Sequence, residues 1–353
     1  GSVVAGNTIG TNAAGDAAIP NDDGVLIQGG STNNLIGTDA DGASDALERN
    51  VISGNSHHGV YLNAEGTEGN VVAGNYIGTD AAGNAAVPNG DNGVRIQACA
   101  DNRIGGTLAA ERNVLSGNGF SGVSVYLGAT ANLVQGNTIG TDASGSGNLG
   151  NGWFGVDVIN SAVDNVVGGT ASGAGNLIAF NDKAGIRVYE YTPAWHSYDN
   201  SLRGNAIFSN GELGIDLSPE EGVTSNDSGD GDQGANSLQN FPVLSTAASV
   251  GSHIAIAGSL NSSSNTTFEL DFYANSSCDV SGYGEGQIYL GSDRVTTDGS
   301  GDASFAASLS AAVSEGYHAT ATATDPTGNT SEFSACVLVT AGHAAYLPLV
   351  QKE

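Results

Sequence analysis

Three charged residues recur at one position of a repeated tetrapeptide. Asp157 lies in GVDV at residue 155, Arg187 in GIRV at 185 and Asp216 in GIDL at 214. If the three segments stack, a guanidinium sits between two carboxylates. That grouping suits acid/base cleavage beside an acidic sugar. The competing reading is a ladder of opposite charges on a solvent face. Composition favours the ladder, because a uronate-cleaving site wants more positive charge than Arg187 and the nearby Lys183 supply.

A second group lies in VYEYTPAWHSYDN, residues 188–200. Tyr189, Tyr191, Trp195 and Tyr198 crowd one short stretch of a chain that is only 6% aromatic. Aromatic faces stack on sugar rings, and Glu190, His196 and Asp199 can bond to hydroxyls. The same rings could instead pack on the chain beneath them. A third group, Asp227, Asp230 and Asp232, lies on a Gly-broken loop. Alternating carboxylates can converge on a hard cation such as Ca²⁺. Their spacing is irregular, however, and no Glu follows at the EF-hand distance, so a solvated acidic linker fits as well. His57 and His58 read as exposed turn residues. No G-x-S-x-G, H-E-x-x-H, phosphate-loop or dinucleotide motif occurs.

The frame that must hold these groups is a repeat. The pattern G-[VI]-x-[ILV] starts at residues 24, 59, 93, 122, 155, 185 and 214, at intervals of 29 to 35. Two Asn-led patterns keep step with it, and the phrase NVVAGNYIGTD at 70 returns as NLVQGNTIGTD at 132. Apolar residues within each segment alternate at strand spacing, and Gly and β-branched residues exclude helix. Three short strands per unit describe one coil of a parallel β-helix, which buries its apolar side only when coils stack. One inward file is Val25, Val60, Val94, Val123, Val156, Ile186 and Ile215. The next is Ile27, Leu62, Ile96, Val125, Val158, Val188 and Leu217. Asn34, Asn70, Asn102, Asn132, Asn165 and Asn200 should stack at one bend, where Asn also tolerates the left-handed backbone. Seven coils are expected over residues 1–218, with segments such as residues 80–92 bulging as loops.

These NxIxGN and GVxI rungs resemble those of bacterial extracellular right-handed parallel β-helix repeat proteins. The resemblance covers about two-thirds of the chain. It implies the fold but no particular activity, because that fold carries lyases, hydrolases, adhesins and passive fibres.

Residues 219–240 lose the repeat phase and read as an acidic linker, the segment that holds the three aspartates. From 241 to 340 the strands alternate with turns, which points to an immunoglobulin-like β-sandwich. Its expected strands include HIAIAGSL, TTFELDFYAN and SEFSACVLV. Cys278 follows one strand and Cys336 lies in the last, so the two are expected to bond, which argues for an oxidising, extracellular setting. Cys99 should be a small buried filler. FYANSSCDVSGYGEGQ and ATDPTGNTSEFSACV resemble the C-terminal module often attached to such β-helices. Residues 341–353 form a spacer and an apolar strand, Tyr346, Leu347, Leu349 and Val350. That strand should fold back on its own module or pair with another molecule.

The formal net charge is −28, which excludes nucleic-acid binding through phosphates. No apolar run is long enough to span a membrane. With no Met, the chain is expected not to begin at a translation start, any secretion signal having been removed or left out. Its opening in mid-pattern and its apolar tail suggest head-to-tail filaments. The expectation is a secreted structural or adhesive protein of the extracellular space or cell surface. The alternative is a Ca²⁺-assisted polysaccharide lyase or hydrolase, or a carbohydrate-binding protein, working at Asp157, Arg187 and Asp216.

Overall fold

The computed structural model describes residues 1–192, 194–217 and 222–342. The apolar tail strand, Tyr346 to Val350, lies outside the described residues. The architecture is all-β. Each coil lays down three short strands, and equivalent strands of successive coils pair in parallel into three seven-stranded sheets. The third sheet comprises Val25–Gln28, Val60–Asn63, Val94–Gln97, Val123–Tyr126, Val156–Ile159, Ile186–Tyr189 and Ile215–Leu217. Seven rungs span six full turns from first to last. The register places Val60 on Val94, Val94 on Val123, Val123 on Val156, Val156 on Ile186 and Ile186 on Ile215. Residues of both expected inward files are buried, except that Val25 of the first rung is half-buried. Parallel rungs repeat about every 4.8 Å, so each apolar residue packs on its own counterpart.

Each of the three corners is held by its own file of asparagines. The first holds Asn34, Asn70, Asn102, Asn132, Asn165 and Asn200. The second holds Asn7, Asn50, Asn75, Asn113, Asn137, Asn176 and Asn205. The third holds Asn21, Asn55, Asn89, Asn118, Asn151, Asn181 and Asn210. Each amide nitrogen donates to the amide oxygen of the next rung at 2.8–3.2 Å. Asn132 shows the full pattern. Its oxygen accepts from the backbone and side chain of Asn102, and its nitrogen also reaches Cys99 and Thr130 carbonyls. The left-handed backbone sits one residue earlier than expected, at Asn33, Gly69, Asp101, Ala131, Asp164 and Asp199. The ladder asparagines supply hydrogen bonds, and their predecessors make the bend.

Loops alternate between corners. Coils one, three and five insert a hairpin between the second and third sheets, closed by Thr11–Ala18, Thr79–Ala86 and Thr141–Asn148 pairs. Coils two, four and six insert residues between the first and second sheets, including a helical turn at Asp45–Glu48 and another at Ala109–Glu111. Hairpins two coils apart touch, the Ala81 and Ala143 amides donating to Gly15 and Gly83 carbonyls. A two-stranded hairpin standing along the axis fills about two rung spacings, which explains the two-coil period of the sequence.

The C-terminal unit is a seven-stranded mixed sheet. Its order is Ile288–Thr296, Thr267–Asn275, His318–Thr324, Val337–Ala341, Val243–Val250, His253–Asn261, Asp302–Leu309. Neighbours are antiparallel except Val243–Val250 beside Val337–Ala341. The sheet curls over a core of Ile254, Leu260, Phe268, Phe272 and Val339. Cys278 and Cys336 are bonded across a separation of 58 residues; Cys336 precedes the last strand instead of lying in it. Cys99 is buried in the solenoid core, and burial pushes its thiol up to about 11.

This unit closes the last coil, which corrects two expectations. Residues 331–336 are not strand. Glu332 accepts the Leu217 amide of the third sheet at 3.0 Å, and the Phe333 ring enters the solenoid core. Nor is the second half of 219–240 a free linker: Ala235 and Asn236 are fully buried, and Asn236 accepts the Asn200 amide at 3.1 Å, as the next rung would.

Asn132→Ala leaves the buried backbone N–H of Asn102 without its acceptor, while the Asn102 side-chain amide keeps the Thr67 and Ala100 carbonyls. It should lower unfolding free energy by about 2 kcal/mol or more, read from the denaturant midpoint, while Asn84→Ala on an exposed hairpin should change it little.

Candidate functional site

The structure brings Asp157, Arg187 and Asp216 side by side on the outer face of the third sheet, Arg187 pairing in register with both neighbours. Arg187 holds Asp157 with two bonds, Nε to Oδ1 at 2.9 Å and Nη2 to Oδ2 at 3.2 Å. Asp157 and Asp216 are 5% and 4% exposed. Burial pushes the Asp157 carboxyl above its ordinary range, against the pull of Arg187. Both Asp157 oxygens are therefore engaged and sheltered, an arrangement that fixes a guanidinium better than it serves a proton donor.

That guanidinium organises aromatic rings. It lies 4.0 Å from the Phe154 ring centre, 4.8 Å from Tyr189 and 6.0 Å from Trp153. Trp153 packs on Phe120 at 5.3 Å, and Tyr189 meets Tyr191 edge to face at 5.0 Å. Phe120, Trp153 and Phe154 escaped the sequence reading. The available signal was their place: FSG and WFG precede the G-V pair where other coils carry polar residues.

The aromatic loop divides. Tyr189 and Tyr191 join this face, whereas His196 and Tyr198 line a recess of about 250 Å³ with Gln233, Gly234 and Ser237. His196 pairs with Glu190 at 3.3 Å, and Trp195 is 42% exposed. Asp199 bonds to Thr327 and Asn329 of the C-terminal unit, so it serves the junction. His58 is buried, not exposed: it accepts the Asn92 amide at Nδ1, and burial lowers its pKa. His57 remains on the surface beside Asp22 at 2.8 Å.

Asp227, Asp230 and Asp232 do converge, each offering an oxygen within 4.8 Å of the others. Burial pushes Asp230 up to about 6, and the other two carboxylates add to the rise. Asp230 spends its oxygens on the Asn240 amide and the Ser262 hydroxyl, and Asp227 accepts from Gly231. Asp39, Asp45 and Glu48 converge similarly, but they too accept amides of their own loop.

The densest polar chemistry lies where the C-terminal unit meets the last coil. Each sheet's terminal amide is taken by that unit: Leu202 by the Thr330 hydroxyl, Ile207 by the Gly286 carbonyl and Leu217 by Glu332. Glu285 Oε1 receives both the backbone and side-chain N–H of Asn210, taking the place of an eighth asparagine. Arg203 makes a two-pronged bond to the fully buried Asp271, and the Tyr273 hydroxyl receives the Gly204 amide. No protein-family model matches the chain, and comparison with the curated proteins finds no relative.

Glu332 provides a pH test of this junction. Burial pushes its carboxyl from 4.5 up to about 7, opposed by the Leu217 and Thr224 amides and helped by Asp216. The folded state thus holds the proton more tightly than the unfolded chain. Ionisation costs stability above about pH 7, and the cost fades as pH falls and is gone below about 4.5. The melting temperature of the parent should gain more between about pH 8 and about pH 5 than that of Glu332→Gln.

Proposed function

We propose that the chain is a secreted structural or adhesive protein of the cell surface, a rigid rod with an immunoglobulin-like module fixed at one end. The observation that carries this reading is the continuity of the three asparagine files, whose terminal bonds are completed by the C-terminal unit. Such a body resists bending and local opening, because every rung shares its polar groups with the next. The Cys278–Cys336 bond suits an oxidising compartment. The parallel contact of the first and last strands of the C-terminal sheet, with antiparallel neighbours elsewhere, supports the immunoglobulin-like assignment. Right-handed winding is favoured by the sterics of parallel crossovers.

The column of Asp157, Arg187 and Asp216 is read here as support for the surface, not as a reaction centre. Two measurements test the whole reading. Immunogold labelling of producing cells should place the protein outside the cytoplasm; cytoplasmic label would overturn the setting. Incubation with acidic and neutral polysaccharides, with and without Ca²⁺, should release neither reducing ends nor unsaturated uronates. Product that disappears in Arg187→Lys would establish an enzyme instead.

A further inference from the structure

The residue two positions before each third-sheet glycine forms an outward file: Asp22, His57, Asp91, Phe120, Trp153, Lys183 and Glu212. From Asp22 to Lys183 each backbone amide donates to the preceding carbonyl of the file, at 2.9–3.3 Å. These side chains therefore stand in single file, one rung apart. Phe120 is 41% exposed and Trp153 40%, although large aromatic residues are scarce in the chain.

We propose that this file is a binding strip for a neutral, extended polysaccharide chain lying parallel to the solenoid axis and stacking on Phe120 and Trp153.

Several observations point to that occupant. The strip is one side chain wide, and its rings are flanked along the axis by Asp91 on one side and by Lys183 on the other. A protein partner would need about 800 Å² on each side and an apolar centre, whereas a sugar chain wants a narrow run of ring faces with hydrogen-bonding groups beside them. The rung spacing, about 4.8 Å, approximates the advance of one residue in an extended glycan. A net charge of −28 disfavours polyanionic chains.

The platform is also set in advance. Trp153 meets Phe154 edge to face at 5.6 Å; Phe154 is 5% exposed and lies against the Arg187 guanidinium, which Asp157 fixes with two bonds. Little side-chain freedom is left to lose when a sugar ring settles on Trp153. Asp157 and Arg187 are thereby positioning residues for the rings.

The proposal takes only its setting from the adhesive reading above; immunogold tests that setting and the following assay tests the strip, so either can fail alone. The full chain is run in native gels containing mixed-linkage β-glucan, hydroxyethyl cellulose or polygalacturonate. The neutral glycans should retard it, polygalacturonate should not, and Phe120→Ala and Trp153→Ala should each weaken retardation by about tenfold with the melting temperature unchanged. If Trp153→Ala fails to fold, Phe120→Ala is decisive, together with the emission of Trp153 in a Trp195→Phe background, which should shift on adding cello-oligosaccharide. The strip is disproved by unretarded migration in both neutral gels, by retardation that survives both alanine variants, by equal retardation in polygalacturonate, or by unshifted Trp153 emission. Sedimentation showing a dimer that both variants abolish would likewise overturn it, assigning the rings to a second copy.

Discussion

The structure depends on one hydrogen-bond arrangement, the side-chain amide that serves two rungs at once. An asparagine has two donors and one oxygen that accepts twice. In each file the oxygen takes the backbone and side-chain N–H of the neighbouring rung, and the second donor reaches a carbonyl at the bend. A corner would otherwise bury bare backbone groups, each costing about 1–3 kcal/mol. The amide satisfies those groups and also sets the distance between coils, so apolar residues fall into register without further instruction. Glutamine would overshoot the bend and aspartate would stack like charges, which accounts for the residue type.

An arrangement that always points to the next rung has no natural end. Its last members must find partners elsewhere, and the C-terminal unit supplies them with different chemistry in the same places. Asn236 extends one file, the Glu285 carboxylate ends another, and a hydroxyl, a carbonyl and the Glu332 carboxylate accept from the last strand of the three sheets. Phe333 and Tyr273 fill the core opening. Two of the accepting groups are carboxylates drawn out of water, Glu285 and Glu332, and burial raises both. The join is therefore strong in structure and sensitive to protonation, a cost that backbone carbonyls alone would not carry.

The charged column illustrates how a solenoid turns chemistry into mechanics. Stacked one rung apart, an aspartate and an arginine meet with two-pronged geometry, which engages both carboxylate oxygens. What it controls is the placement of Phe154, and through it Trp153. Exposed rings on a rigid corner form an apolar surface outside any recess.

Much of this was legible in the residues themselves. The period, the inward Val and Ile files, the Asn34 to Asn200 file and the adjacency of Asp157, Arg187 and Asp216 follow from repeat spacing, because stacking turns a fixed interval into a contact. The Asn7 to Asn205 positions were legible too, as the second Asn-led pattern, whereas the third file was hidden, since loop insertions push Asn21, Asn89 and Asn151 out of phase with Asn55, Asn118 and Asn181. Only the tertiary structure decided what lies on each side of the junction. Glu332, Phe333, Asn236 and Asp271 carry no repeat signal, and strand alternation in TTFELDFYAN cannot reveal that its second face is covered by another part of the chain. Repetition makes near neighbours readable from spacing; a contact formed once, between segments as far apart as Leu217 and Glu332, leaves no period to read.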